Sequence, residues 1–192
     1  MKPEEVLQSI EKIAPEQGLP IIGPKRGAFL DEVLEKHNPS TILEVGTLVG
    51  YSAIRMARHL KPGQKLTCLE VREDMARVAL SNLTKAGLSD RVEILVGDAK
   101  VLIPTLKGPF DMVFLDAAKD EYIGYLRACE GLLHEGSVVV ADNVLSHANE
   151  VAEYLEYVRN SGNYKSSYHE SPGFRYGVGK EEPDAVEISV KT

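Results

Sequence analysis

The chain has 192 residues, of which 43% are hydrophobic, and its 29 acidic and 22 basic side chains give a formal net charge of -7. That length fits one domain with a substantial core. The acidic balance argues against nucleic acid, which needs a cationic footprint, and no apolar run is long enough to cross a bilayer, so no membrane partner is expected either.

Residues 4–13 place Val6, Leu7, Ile10 and Ile13 on one face and predict a short amphipathic helix. The start, Met1-Lys2-Pro3-Glu4-Glu5, is polar and acidic, which is wrong for a signal peptide. A loop containing Gly18, Pro20, Gly23 and Pro24 follows. A second helix is predicted over about 25–36, stopped near Asn38-Pro39. From there strands and helices alternate. Strands are predicted at 41–45, 65–71, 92–96, 112–115 and 137–141. The helices between and after them fall at about 51–60, 74–86, a short stretch ending near Leu106, 122–133 and 150–160. Gly87 sits where a helix C-terminus favours glycine. Such alternation predicts a mostly parallel sheet with helices on both faces. The ending differs: 164–168 and 185–191 alternate like strands with no helix between them. A final antiparallel pair at one sheet edge is the simplest solution. The loop 171–177 reads as mobile or substrate-facing. No linker or repeat divides the chain, so a single domain over 1–192 is expected. Cys68 and Cys129 fall in apolar patterns and suit a reducing, cytoplasmic setting.

Two of the predicted strands run into carboxylates: Asp111-Met112-Val113-Phe114-Leu115-Asp116 and Ser137-Val138-Val139-Val140-Ala141-Asp142-Asn143. In open parallel sheets, ligands bind at the carboxyl ends of strands. If the two strands are neighbours, Asp116, Asp142 and Asn143 meet as hard oxygen donors suited to Mg²⁺. The plainer alternative is a pair of helix N-caps.

Glu44-Val45-Gly46-Thr47-Leu48-Val49-Gly50 joins the first strand of the alternating series to its helix. Glycines there allow close backbone approach to a ligand. With glycine only at Gly46 and Gly50, the loop fails the dinucleotide fingerprint, which argues against an NAD-dependent oxidoreductase. Glu70 closes the second strand, 20 residues after Gly50, where an acid can accept both hydroxyls of a ribose. Glu44 lies among Ile42, Leu43 and Val45 and needs a partner when buried. That partner is either a cationic ligand group, such as an amino-acid ammonium, or an internal Arg or Lys. Asp98 and Lys100 follow the third strand, where an adenine edge could be read. Among the five histidines only His147 lies close to the Asp142-Asn143 end, and a solvated role fits it best.

These segments resemble the S-adenosylmethionine-dependent O-methyltransferases, and among them the catechol O-methyltransferases. The likeness rests on Ile42-Leu43-Glu44-Val45-Gly46, the run from Gly50-Tyr51-Ser52-Ala53 to Arg58, Asp111 to Asp116, Lys119-Asp120 and Ala141-Asp142-Asn143-Val144. It implies a Rossmann-like class I methyltransferase fold, α/β, with a mostly parallel seven-stranded sheet and an antiparallel C-terminal edge strand. The helices of residues 1–38 would cover the site. Glu44 would bind the amino-acid end of S-adenosylmethionine, with Gly46, Ser52 and Ile22 lining the methionine moiety and Glu70 on the ribose. Ala99 and Lys100 would read the adenine, and Asp116 would border the cofactor as well as the metal. Asp116, Asp142 and Asn143 would bind Mg²⁺. Lys119 would be the catalytic base, and Lys119 and Asn143 would touch a catechol-like or other phenolic small molecule. The implied enzyme is a monomer or homodimer; a non-catalytic S-adenosylmethionine-binding protein is the alternative. The chain departs from the catechol pattern in Ala117 and Ala118, where the family has bulky residues, and in Leu48, which replaces a tyrosine. The family's late substrate-binding glutamate falls near Phe174 or Arg175.

Overall fold

The computed structural model describes residues 1–175 and 180–192. Helices α1 (Pro3–Gln17) and α2 (Gly23–His37) precede β1 (Thr41–Val45), α3 (Tyr51–His59), β2 (Lys65–Glu70), α4 (Glu73–Lys85) and β3 (Val92–Val96). The short α5 (Ala99–Leu102) leads to β4 (Phe110–Leu115), α6 (Tyr122–Cys129), β5 (Leu133–Ala141) and α7 (Ala152–Asn160). The chain ends in β6 (Tyr164–Glu170), β7 (Gly173–Arg175), β8 (Lys180–Glu182) and β9 (Ala185–Lys191).

The main sheet has the order β3-β2-β1-β4-β5-β9-β6. The first five strands are parallel to one another, and β9 runs antiparallel to both of its neighbours. The C-terminal strand therefore supplies the antiparallel direction, with β6 outside it. Its polar residues explain how it tolerates that position. Glu187 is buried against the Arg159 guanidinium, at 2.7 and 2.9 Å, and Ser189 is 2.7 Å from the Ser166 hydroxyl. Beyond this sheet, Gly173–Arg175 of the loop expected over 171–177 form β7, which pairs with β8; residues 176 and 177 of that loop lie outside the described residues.

Each face of the sheet buries its own core. Ile42, Met112, Phe114, Val138 and Val140 pack under α1, α2 and α3, while Leu43, Val45, Val113, Leu115 and Val139 pack under α6 and α7. Alternating residues of β1 and β4 thus serve opposite cores, as strands covered on both faces must. α1 is longer than its apolar pattern predicts. It passes through Pro15 and stops only at Gly18, whose left-handed φ of 62° lets its N–H close on Ala14 O. Ala14 takes the buried place expected for Ile13, which is exposed. α2 and α3 cross closely because Gly27 leaves room for Arg55, which reaches Asp31 at 2.6 Å. Among the described residues, no helix is long and apolar enough to span a membrane.

Candidate active site

The register places the two strand-ending acids side by side. Leu115 pairs with Ala141, so Asp116 and Asp142 follow at the same level, and Asp142 N–H donates to Leu115 O at 3.0 Å. A cavity of about 1220 Å³ opens over this end of the sheet. Its lining includes Ile22, Gly46, Ser52, Glu70, Ala99, Asp116, Lys119, Asp142 and Asn143. The structure therefore gathers nearly all the sequence-predicted residues around one space. Two stand differently. Glu44 lies behind the lining, fully buried, and reaches it through Ser52 and Thr47. Lys100 is not part of the lining; its ammonium pairs with Glu121, which is.

The glycine loop owes its path to two constraints. Gly46 has φ 95°, and a Cβ there would sit 2.3 Å from the Asp116 carbonyl oxygen. The loop thus passes directly against the β4 end that carries the first acid. Gly46→Ala should destabilise the fold by about 3 kcal/mol, through left-handed strain added to a backbone clash. Urea unfolding measures this, and a loss below half that value would mean that the loop simply moves aside. Leu48 also takes a left-handed φ, 50°, which is uncommon for a branched side chain. That turn aims the Leu48 and Thr47 N–H groups at Glu70 Oε2, at 2.7 and 3.2 Å, while Arg72 N–H meets Oε1 at 2.9 Å. The Glu70 carboxylate is fixed by backbone donors and still lines the cavity.

The internal-cation alternative does not hold for Glu44, since among the described residues no Arg or Lys pairs with it. Its carboxylate accepts from the Ser52 hydroxyl and, at 3.0 Å, from the Thr47 hydroxyl. Burial pushes its pKa up to about 7, against hydrogen bonds from Ser52, Cys68 and Thr47 that act the other way. Among the described residues its donors are neutral, so a cation at the Ser52 and Thr47 side of the cavity would favour its ionised form.

At the acidic corner, Lys119 Nζ donates to Asp116 Oδ1 at 2.7 Å and to Tyr122 OH at 2.8 Å. Tyr122 OH in turn donates to the carbonyls of Leu115 and Asp142, at 2.9 and 3.1 Å, tying the ends of β4 and β5 together. Asn143 adopts φ 60°, and its amide nitrogen donates to Asp184 Oδ2 at 2.8 Å. Burial, then repulsion from Asp116, pushes the Asp142 carboxyl well above the usual carboxylate range despite the nearby Arg26 and Lys119 cations. Among the described residues there is no cluster of three or more His, Cys, Asp or Glu shaped as a metal cage. The donor set of Asp116, Asp142 and Asn143 nevertheless fits a hard divalent cation. Two mutually repelling carboxylates and a side-chain amide line one cavity, and their oxygens are of the kind Mg²⁺ prefers. His147 stands at the rim, its Nδ1 2.7 Å from Glu150 Oε1.

Sequence reasoning missed Arg26, Asp184, Thr47 and Tyr122. For Arg26 a signal existed: it shares a helical face with Leu30, Val33 and Leu34, all buried. Asp184, which accepts from Arg26 at 3.3 Å, could not be found from local pattern.

The O-methyltransferase family profile matches residues 3–161. A catechol O-methyltransferase B of Danio rerio is 43% identical over 157 residues, covering 78% of this chain and 59% of the relative. A catechol O-methyltransferase of Mus musculus is 39% identical over 178 residues, covering 88% and 66%. The chain thus spans about three-fifths to two-thirds of the length of these curated relatives. Among solved structures, an O-methyltransferase from Bacillus cereus in complex with SAH superposes with a TM-score of 0.85 at 28% identity, covering 99% of this chain and 90% of that one. The O-methyltransferase TomG from Streptomyces achromogenes, in complex with SAM, gives 0.85 at 30% identity, covering 98% and 90%. The chain belongs to the O-methyltransferase family.

Proposed function

We propose that the chain is a Mg²⁺-dependent O-methyltransferase that moves the methyl of S-adenosylmethionine to one hydroxyl of a catechol-like small molecule. One observation carries the reading. A single cavity joins a glycine loop and fixed carboxylate, suited to a nucleoside amino acid, to a corner of two acids and an amide, suited to a hard cation. When bound, S-adenosylmethionine supplies an electron-poor sulfonium methyl, and Mg²⁺ lowers the pKa of a hydroxyl and fixes its position.

The chain's own residues would then act as follows. Glu44 holds the ammonium, in a site where burial strengthens charge attraction. Glu70 accepts the ribose hydroxyls, its oxygens held in place by three backbone N–H groups. Gly46, Ser52 and Ile22 enclose the methionine end, and Ala99 meets the adenine. Asp116, Asp142 and Asn143 hold the metal. Lys119 takes the hydroxyl proton on Nζ, its amine aimed by Asp116 and Tyr122. Alignment of acceptor oxygen and methyl in one enclosed space supplies much of the rate. Ala117 and Ala118 both line the cavity, so the acceptor wall is wider than bulky residues would leave it. That favours phenolic acceptors larger than catechol itself. The free, buried Cys68 and Cys129 support a reducing compartment.

Incubation with S-adenosylmethionine, MgCl₂ and a panel of catechols and larger vicinal phenols, read by mass spectrometry, tests the reading. A methylated product that disappears with EDTA is expected. Cofactor binding with no product and no Mg²⁺ effect would favour the non-catalytic alternative. Lys119→Ala should lower turnover by about a hundredfold or more, the value of a positioned general base, with cofactor affinity kept. Unchanged turnover across pH would remove Lys119 from that role.

A further inference from the structure

The acidic corner holds a cation that the reaction above does not use. Arg26, on the first turns of α2, is buried, with 4% of its side chain exposed. Its Nη1 donates to Asp142 Oδ1 at 2.7 Å and to Asp184 Oδ2 at 3.3 Å, and its Nη2 donates to the Ser171 carbonyl. A Cβ on Gly173 would lie 3.1 Å from Nη2, so the backbone of the arm that carries β7 and β8 rests on the guanidinium. Asp184, where that arm returns, is itself an anchor. Its Oδ1 accepts from the N–H groups of Ser146, Leu145 and Ala185, at 3.0, 3.3 and 2.8 Å, and its Oδ2 accepts from Asn143. One side chain therefore joins α2, the end of β5 and both ends of the arm. A planar fork with several donors can do this; a lysine's point charge cannot reach all the acceptors.

We propose that Arg26 is a positioning residue, the built-in counter-ion of this corner, which competes with a divalent cation for Asp142 while clamping Ser171 and Asp184 against the end of β5. The inference rests on the divalent-cation reading above and deepens it. Asp116, Asp142 and Asp184 face Arg26 and Lys119, three acids against two bases. Neutralising Arg26 adds a full negative charge to the balance that a divalent ion meets. It also frees the arm. A merely structural ion pair would behave otherwise: its loss would disorder the ligands and weaken metal binding.

The test uses Arg26→Met and Arg26→Lys in the whole chain. Calorimetry with MnCl₂ reads cation affinity. Hydrogen exchange at Leu145, Ser146, Ser171 and Ala185, without metal, reads the clamp. Arg26→Met should bind Mn²⁺ on the order of tenfold more tightly, from the removal of one nearby positive charge. The four amides should exchange at least about tenfold faster as the local opening cost falls. Arg26→Lys keeps the charge and should restore wild-type Mn²⁺ affinity, while the amides stay fast. If Arg26→Met does not fold, Arg26→Gln must show the same tightening. Unchanged or weaker Mn²⁺ binding in the neutral variants, or unchanged exchange, overturns the proposal. The two readings separate cleanly. Wild-type protein that ignores Mn²⁺ while Arg26→Met binds it defeats the Mg²⁺ enzyme and leaves the counter-ion role standing. No Mn²⁺ uptake by either defeats both.

Discussion

Asp142→Asn should lower Mg²⁺-dependent methyl transfer by about a hundredfold or more, because the variant removes the charge that a bound divalent ion would offset. Asparagine keeps an oxygen that can accept from Arg26, and the backbone bond to Leu115 O is untouched. The wild-type carboxyl is held above its usual range by burial and by Asp116, so the native corner spends stability on keeping a second negative charge there. Losing that charge offsets part of what Arg26 loses as a partner. Folding stability should therefore stay within about 1 kcal/mol of wild type, since a buried ion pair and its neutral replacement often nearly balance. Asp142→Ala, by contrast, leaves Arg26 with Asp184 and Ser171 as its acceptors among the described residues and should unfold about 3 kcal/mol more easily. Calorimetric titration with Mg²⁺, initial rates and urea unfolding together separate the two variants. Mg²⁺-stimulated turnover near the wild-type rate in Asp142→Asn would remove Asp142 from the metal site.

The ends of β4 and β5 were legible because each strand finishes in a continuous apolar run, residues 112–115 and 138–141, that meets an acid, and burial on both faces produces that pattern. The glycine loop was legible for a related reason: Gly46 stands where any side chain would strike Asp116. What local pattern cannot carry is order among strands of similar character. Residues 164–168 and 185–191 read equally well as edge strands. The interior place of β9 depends on the Arg159–Glu187 pair and the Ser166–Ser189 contact, which join positions more than twenty residues apart. Arg26 is the sharper case. Its helical face with Leu30, Val33 and Leu34 signals burial, yet its acceptors lie 116, 145 and 158 residues away. Only the assembled fold brings them together. Glu44 fell between these extremes. Its burial was predicted from neighbours, but the nature of its partners was not, because hydroxyls eight and three residues on become partners only once the loop turns.

Glu44→Gln should weaken S-adenosylmethionine binding by about tenfold at pH 8 and make the ligand-free protein more stable there. Both effects come from the same raised pKa, about 7 in the fold against an ordinary 4.5. Between those two values the folded chain binds a proton that the unfolded chain has released. Stability therefore falls as pH climbs from about 4.5 to about 7, and the full penalty persists above it, on the order of 3 kcal/mol. Glutamine carries no charge to desolvate, so its urea midpoint should change far less over that window, and the two proteins should diverge most at pH 8. The ligand responds in the opposite direction. An ammonium binds the ionised carboxyl, so wild-type affinity should rise from pH 6 to pH 8, whereas the Glu44→Gln affinity should stay flat. The Ser52 and Thr47 hydroxyls can turn to serve an amide as well as a carboxylate, which keeps the variant folded. Calorimetry at pH 6, 7 and 8, paired with urea unfolding at the same values, checks both halves. A variant that binds as tightly as wild type at pH 8 would show that the ammonium is held elsewhere, and a wild-type stability that rises across this window would mean that Glu44 is ionised without cost.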